Sequence, residues 1–143
     1  MGEHVFFGTE QGDFFAVNWK EIKNQWVYED EVGGNSIRSC AAVSKNHVVF
    51  GARNRQVYSL NPKNGEVNWT ASLKAKVDAS PVIVGERVFV ASTDGRLYAL
   101  NLDDGSVVWE KQFNGGFLSS PAVGFDRLVI ATDRGVVYCL GSK

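Results

Sequence analysis

Apolar residues fall in short runs that recur along the chain, cut at intervals by glycine, asparagine and aspartate. Runs such as Val88 to Ala91 and Val129 to Ala131 are apolar at successive positions, the pattern of a strand covered on both faces. No stretch of helical length carries apolar residues at i, i+3, i+4 and i+7, so the pattern predicts an all-β protein. The breaks between runs carry turn chemistry. Thr93-Asp94-Gly95 predicts a tight hairpin, where glycine supplies a positive φ, and Asp103-Asp104-Gly105 a second turn.

The runs repeat. Segments 48–61, 88–101 and 128–141 superpose position by position, and 5–18 is a weaker fourth copy. One aromatic position runs Phe15, Tyr58, Tyr98, Tyr138, in steps of 43, 40 and 40 residues. A tryptophan follows in step at Trp26, Trp69 and Trp109. Ser80-Pro81 and Ser120-Pro121 also lie 40 apart, with Ser39-Cys40 as a degenerate copy. The third copy divides into four strands: A over 79–84, B over 87–92, C over 96–101 and D over 107–113. Four-stranded antiparallel units of about 40 residues, covered on both faces, are the blades of a β-propeller. A two-sheet sandwich would not repeat its sequence at a fixed period.

The blade units are approximately 5–38, 39–78, 79–118 and 119–143. The first supplies strands B, C and D, the next two all four, and the last A, B and C, fourteen strands or about three and a half blades. Raw sheet edges invite pairing. The chain therefore reads as a partial or assembling propeller, either a segment of a larger ring or one of two copies that associate.

Composition agrees. Valine far outnumbers leucine, there are 15 glycines, and Met1 is the only methionine, which is strand-and-turn chemistry. Hydrophobic residues at 44% and charged residues at 22% belong to a globular protein. A net charge of -1 gives no field for a phosphate backbone, so nucleic acid is not an expected partner. No apolar run approaches the length of a bilayer-spanning helix, which argues against direct membrane insertion. Residues 1–8 have neither a basic n-region nor a long apolar core, so no signal peptide is expected in this chain. Phe6 stands where a myristoylation signal needs Ser or Thr. Cys40 and Cys139 are too far apart for a CxxC pair and are expected as buried strand residues packing as small hydrophobes.

Ala99-Leu-Asn-Leu-Asp-Asp-Gly105-Ser-Val-Val-Trp109 resembles the tryptophan-docking motif of the PQQ-like (quinoprotein-type) propeller repeat family, of the BamB-like kind, in which Ala, Asp, Gly and Trp recur at fixed offsets. Asn101 stands at the Asp position. The second copy keeps Asn61, Gly65 and Trp69 with Ser59 at the Ala position; the first keeps Ala16, Asn18 and Trp26 but has Ile22 where glycine belongs. The resemblance implies that Trp26, Trp69 and Trp109 are inter-blade docking residues rather than ligand stackers. It also implies rings of seven or eight blades, a protein partner or a second copy, and a place in the periplasm or cell envelope. Trp19, on the first C–D turn, is either an exposed contact or locally packed.

Catalytic patterns are not found. His4 and His47 are isolated, and no HExxH, CxxC or Gly-x-Ser-x-Gly pattern occurs. Gly33-Gly34 and Gly115-Gly116 read as blade-to-blade loops, since neither opens the helix that a phosphate site requires. The expected role is a non-catalytic interaction scaffold with no cofactor. The alternative is a segment of a PQQ- and calcium-dependent quinoprotein dehydrogenase. Sorting loops by rim places Arg38, Arg53, Arg55, Lys74 and Lys76 together as candidate partner contacts. Arg55 stands where the other copies have Gly12, Gly95 and Gly135, so Asn54 is expected to take the left-handed conformation instead.

Overall fold

The structure is a computed structural model that describes residues 3–30 and 35–141; Met1, Gly2, Gly33 and Gly34 lie outside the described residues. Four antiparallel sheets follow one another along the chain. Blade 1 holds β1 (His4–Gly8), β2 (Phe14–Asn18) and β3 (Lys23–Tyr28); blade 2 holds β4 (Ala42–Val43), β5 (Val48–Gly51), β6 (Gln56–Leu60) and β7 (Val67–Ser72). Blade 3 holds β8 (Val82–Val84), β9 (Arg87–Ala91), β10 (Arg96–Asn101) and β11 (Val107–Gln112); blade 4 holds β12 (Ala122–Gly124), β13 (Arg127–Ala131) and β14 (Val137–Gly141). Strands pair in sequence order within each sheet, and no helix occurs among the described residues.

The innermost strands are shorter than the apolar pattern predicts. Residues 79–81 stay out of β8 because Pro81 has no N–H for a ladder. The segment serves another purpose: the Ser80 hydroxyl accepts the Cys40 N–H at 2.8 Å, and the Ser120 hydroxyl accepts the Ser80 N–H at 2.9 Å. The Ser-Pro repeat is thus a blade-to-blade ladder on the inner side of the arc.

Three apolar clusters fill the spaces between consecutive blades. Phe14 and Trp26 meet Phe50, Tyr58 and Leu60; Val49, Val57 and Trp69 meet Val88, Tyr98 and Leu100; Leu97, Phe113 and Phe117 meet Leu128 and Ile130. Each fully buried side chain of this size contributes about 1.5–3 kcal/mol. Strands β5 and β10 are buried on both faces, as their unbroken apolar runs require. Strands β13 and β14 are covered on one face only, although their sequences are as apolar.

The two thiols correct an expectation. Cys40 and Cys139 are both exposed. Cys40 lies outside any strand. Cys139 sits on the face of β14 opposite Tyr138 and Leu140, which point toward blade 3.

Candidate interaction surface

Loops sort into two rims by hydrogen bonding. The Arg53 N–H donates to Ser36 O, that of Thr93 to Lys76 O and that of Asp133 to Gly116 O, each tying a B–C hairpin to the preceding D–A loop. This rim carries all the candidate cations. Arg38 pairs with Glu10 at 2.9 Å, Arg53 with Asp78 at 3.2 Å and Lys74 with Glu110 at 3.1 Å. The Ser36 hydroxyl, and then Arg38, hold the Glu10 carboxyl below its ordinary range. Arg55 and Lys76 are exposed, and neither has a side-chain partner among the described residues.

Arg55 itself takes the left-handed conformation, with φ 70°, correcting the assignment to Asn54. The hairpin geometry overrides the side-chain preference. The Arg55 N–H donates to Ala52 O and its carbonyl accepts the Leu73 N–H at 2.8 Å, as Gly95 accepts that of Phe113. Asn54 contributes through its side chain: Oδ1 accepts the Gln56 N–H, and Nδ2 donates to the Tyr58 hydroxyl at 2.6 Å and to Asp30 Oδ2 at 3.2 Å.

Asp30 stands four residues after Trp26, where the later copies place the buried Leu73 and Phe113. In place of an apolar plug, junction 1/2 has a polar cleft of about 390 Å3, lined by Asp30, Asn35, Asn54, Gln56, Tyr58 and Ser72 among others. Burial pushes the Tyr58 phenol up, Asn54 pulls it down, and the Asp30 carboxylate adds to the rise. The first repeat is also longer here, with Ile37 eleven residues after Trp26 but Val77 eight after Trp69.

The opposite rim holds the docking tryptophans. Each faces a small residue across the ladder, Ala16, Ser59 or Ala99, and a bulge follows at once. The Trp26 indole N–H donates to Pro62 O at 3.0 Å, and that of Trp69 to Leu102 O at 2.8 Å. Asn61 and Asn101 fold the receiving turns, each side-chain oxygen accepting an N–H two residues on. Trp109 is 39% exposed and lines an apolar cleft of about 740 Å3 with Val84, Phe89, Val123, Phe125 and Leu140. Trp19 is half-exposed, with the Lys20 ammonium 5.8 Å from its ring.

Two features escaped the sequence reading. Phe125 is fully exposed with φ 49° at a position where the third copy has Gly85, the same glycine-replacement signal that marked Arg55. His47 joins two blades: Nδ1 lies 3.0 Å from the Ser59 hydroxyl, and Nε2 lies 3.6 Å from Asp103 on the next blade's turn. Ser59 is wholly buried, so this Ser-His-Asp succession is a structural link and not a nucleophile. Only the fold brings the three residues together.

The family model described as outer membrane protein assembly factor BamB matches residues 24–143. No curated protein matches the chain by sequence. The solved structure of BamB from Moraxella catarrhalis superposes with a TM-score of 0.83 at 18% identity, covering 99% of this chain and 44% of that one. The computationally designed Ika8 protein gives 0.83 at 13% identity, covering 98% of this chain and 43% of that one. Quinohemoprotein alcohol dehydrogenase from Comamonas testosteroni gives 0.77 at 12% identity, covering 91% of this chain and 28% of that one. The chain therefore spans less than half the length of these structures.

Proposed function

Because the chain belongs to the family of the outer membrane protein assembly factor BamB, we propose that it is a non-catalytic β-propeller repeat module that serves as a protein-interaction scaffold within a larger or oligomeric propeller. One observation carries this reading. At Arg55 the repeat gives up its glycine, and the hairpin holds an exposed, unpaired guanidinium in a conformation that disfavours any side chain. Lys76 and the polar cleft lie on the same rim as Arg55. An acidic protein surface is the partner that matches it.

The test is cross-linked capture from an extract of the source cell, with the parent chain and an Arg55→Glu/Lys76→Glu variant compared at matched stability. The variant is expected to recover at least tenfold less of the captured proteins. Equal recovery overturns the scaffold reading of this rim.

The fold likeness to the Comamonas enzyme keeps a quinoprotein segment as a second reading. The described residues do not fit a calcium-held quinone: no three His, Cys, Asp or Glu side chains converge among them. Adding PQQ and calcium and measuring dye-linked alcohol oxidation tests that reading.

A further inference from the structure

We propose that the outward face of blade 1 and the outward face of blade 4 are the two halves of one more blade-to-blade junction, and that two copies of this chain meet head to tail through it. This rests on the reading of an oligomeric propeller above and names its partner.

The repeat register identifies both halves. Toward the blade before it, blade 2 presents Val48, Phe50, Tyr58 and Leu60, all buried. The same positions in blade 1 are Val5, Phe7, Phe15 and Val17. Val5 is 49% exposed and Phe7 44%, with the Phe7 and Phe15 rings stacked at 5.4 Å. Toward the blade after it, blade 2 presents Val49 and Val57, wholly buried against blade 3. Blade 4 has Val129 and Val137 at those positions, with Cys139 on the same face, and all three are exposed. A sheet with one face in water alternates apolar and polar residues. Neither terminal sheet does, so each is written for a covered state.

The faces also match in shape. At junction 2/3 one side carries the aromatic ring and the other offers smaller residues, Tyr98 meeting Val49 and Val57. Blade 1 offers Phe7 and Phe15; blade 4 offers Val129, Ala131, Val137 and Cys139.

Ile22 specifies the partner further. Gly65 and Gly105 receive the indole of the preceding blade, whereas Ile22 occupies that position in blade 1, with φ 53°. A β-branched side chain there excludes an indole, so the face that meets blade 1 must come without one. Two copies also match in length, since one covers 44% of the BamB chain along the same arc. The contact is heterologous, and a pair closes it by using each face once per copy.

Light scattering on the 143-residue chain is expected to give a dimer, twice the 15.7 kDa chain mass. Phe7→Glu and Val137→Glu should each give monomers with the parent's circular dichroism. Mixed in equal amounts, they should recover a dimer, because each retains the face the other lacks. A monomeric parent, a dimer insensitive to both substitutions, or a mixture that stays monomeric overturns the proposal. A second readout avoids charged variants: in a Cys40→Ser background, Cys139 should react with a maleimide at least tenfold faster in dilute than in concentrated protein. Equal rates overturn it. A monomer would leave the rim-dependent capture untouched, so the two readings fail separately.

Discussion

The indole of Trp26 occupies the space that a side chain on Gly65 would need: a methyl there would lie 2.7 Å from the indole Cδ2. Trp69 stands in the same relation to Gly105, at 2.4 Å from its Cε3. Glycine in the docking motif therefore answers two demands, a left-handed turn (φ 76° and 72°) and contact with the neighbour's indole. Gly65→Ala and Gly105→Ala should each destabilise by about 2–4 kcal/mol, with a red shift of tryptophan emission as the indole is displaced. Ile22→Gly, at the corresponding turn of blade 1, should leave stability unchanged or raise it by about 1 kcal/mol. Urea denaturation followed by fluorescence separates the two behaviours, and equal losses at all three positions would refute the docking account.

The repeat period carried most of the fold, because a blade is built from local hairpins whose turns leave glycine, asparagine and aspartate in the sequence. The limits of β10 are those the pattern predicts. What was not legible needs more than one blade. The exposure of Cys139 depends on whether a neighbour covers its face. The left-handed Arg55 follows from the bonds of Ala52 and Leu73, which outweigh its own preference. The His47 link to Asp103 joins different blades and leaves no spacing signature.

The three docking tryptophans should differ in worth. Trp69 is buried and donates to Leu102 O, so Trp69→Ala should cost about 3–5 kcal/mol. Trp109 is 39% exposed and has no acceptor for its N–H among the described residues, so Trp109→Ala should cost about 1–2 kcal/mol. Thermal melts of the single variants check the ranking. In head-to-tail pairs this difference persists, because Trp109 lies in the cleft between blades 3 and 4 and not on the outward face.

Arg55→Gly should stabilise the chain by about 0.5–1 kcal/mol, since glycine accepts the φ of 70° that the hairpin imposes. The same substitution removes the exposed guanidinium, so it should reduce capture of rim partners while Tm rises. Stability and binding moving in opposite directions would mark Arg55 as retained for contact. A fall in Tm would show that the long side chain packs usefully, against the strain argument.

Tyr58 gives the chain an alkaline signature. Its phenol is buried beside the Asp30 carboxylate, and both raise its ionisation above the usual value of about 10. The folded state then keeps a proton that the unfolded chain gives up, so stability is full below pH ~10 and declines as pH rises further. Burial raises the Tyr98 phenol too, and it contributes in the same direction. Tyr58→Phe should flatten the decline in part, and Tyr58→Phe/Tyr98→Phe should flatten it further. Asp30→Asn should let the Tyr58 phenol ionise at lower pH, visible as earlier phenolate absorbance in a spectrophotometric titration. A decline as steep in the double variant as in the parent would place the alkaline sensitivity elsewhere.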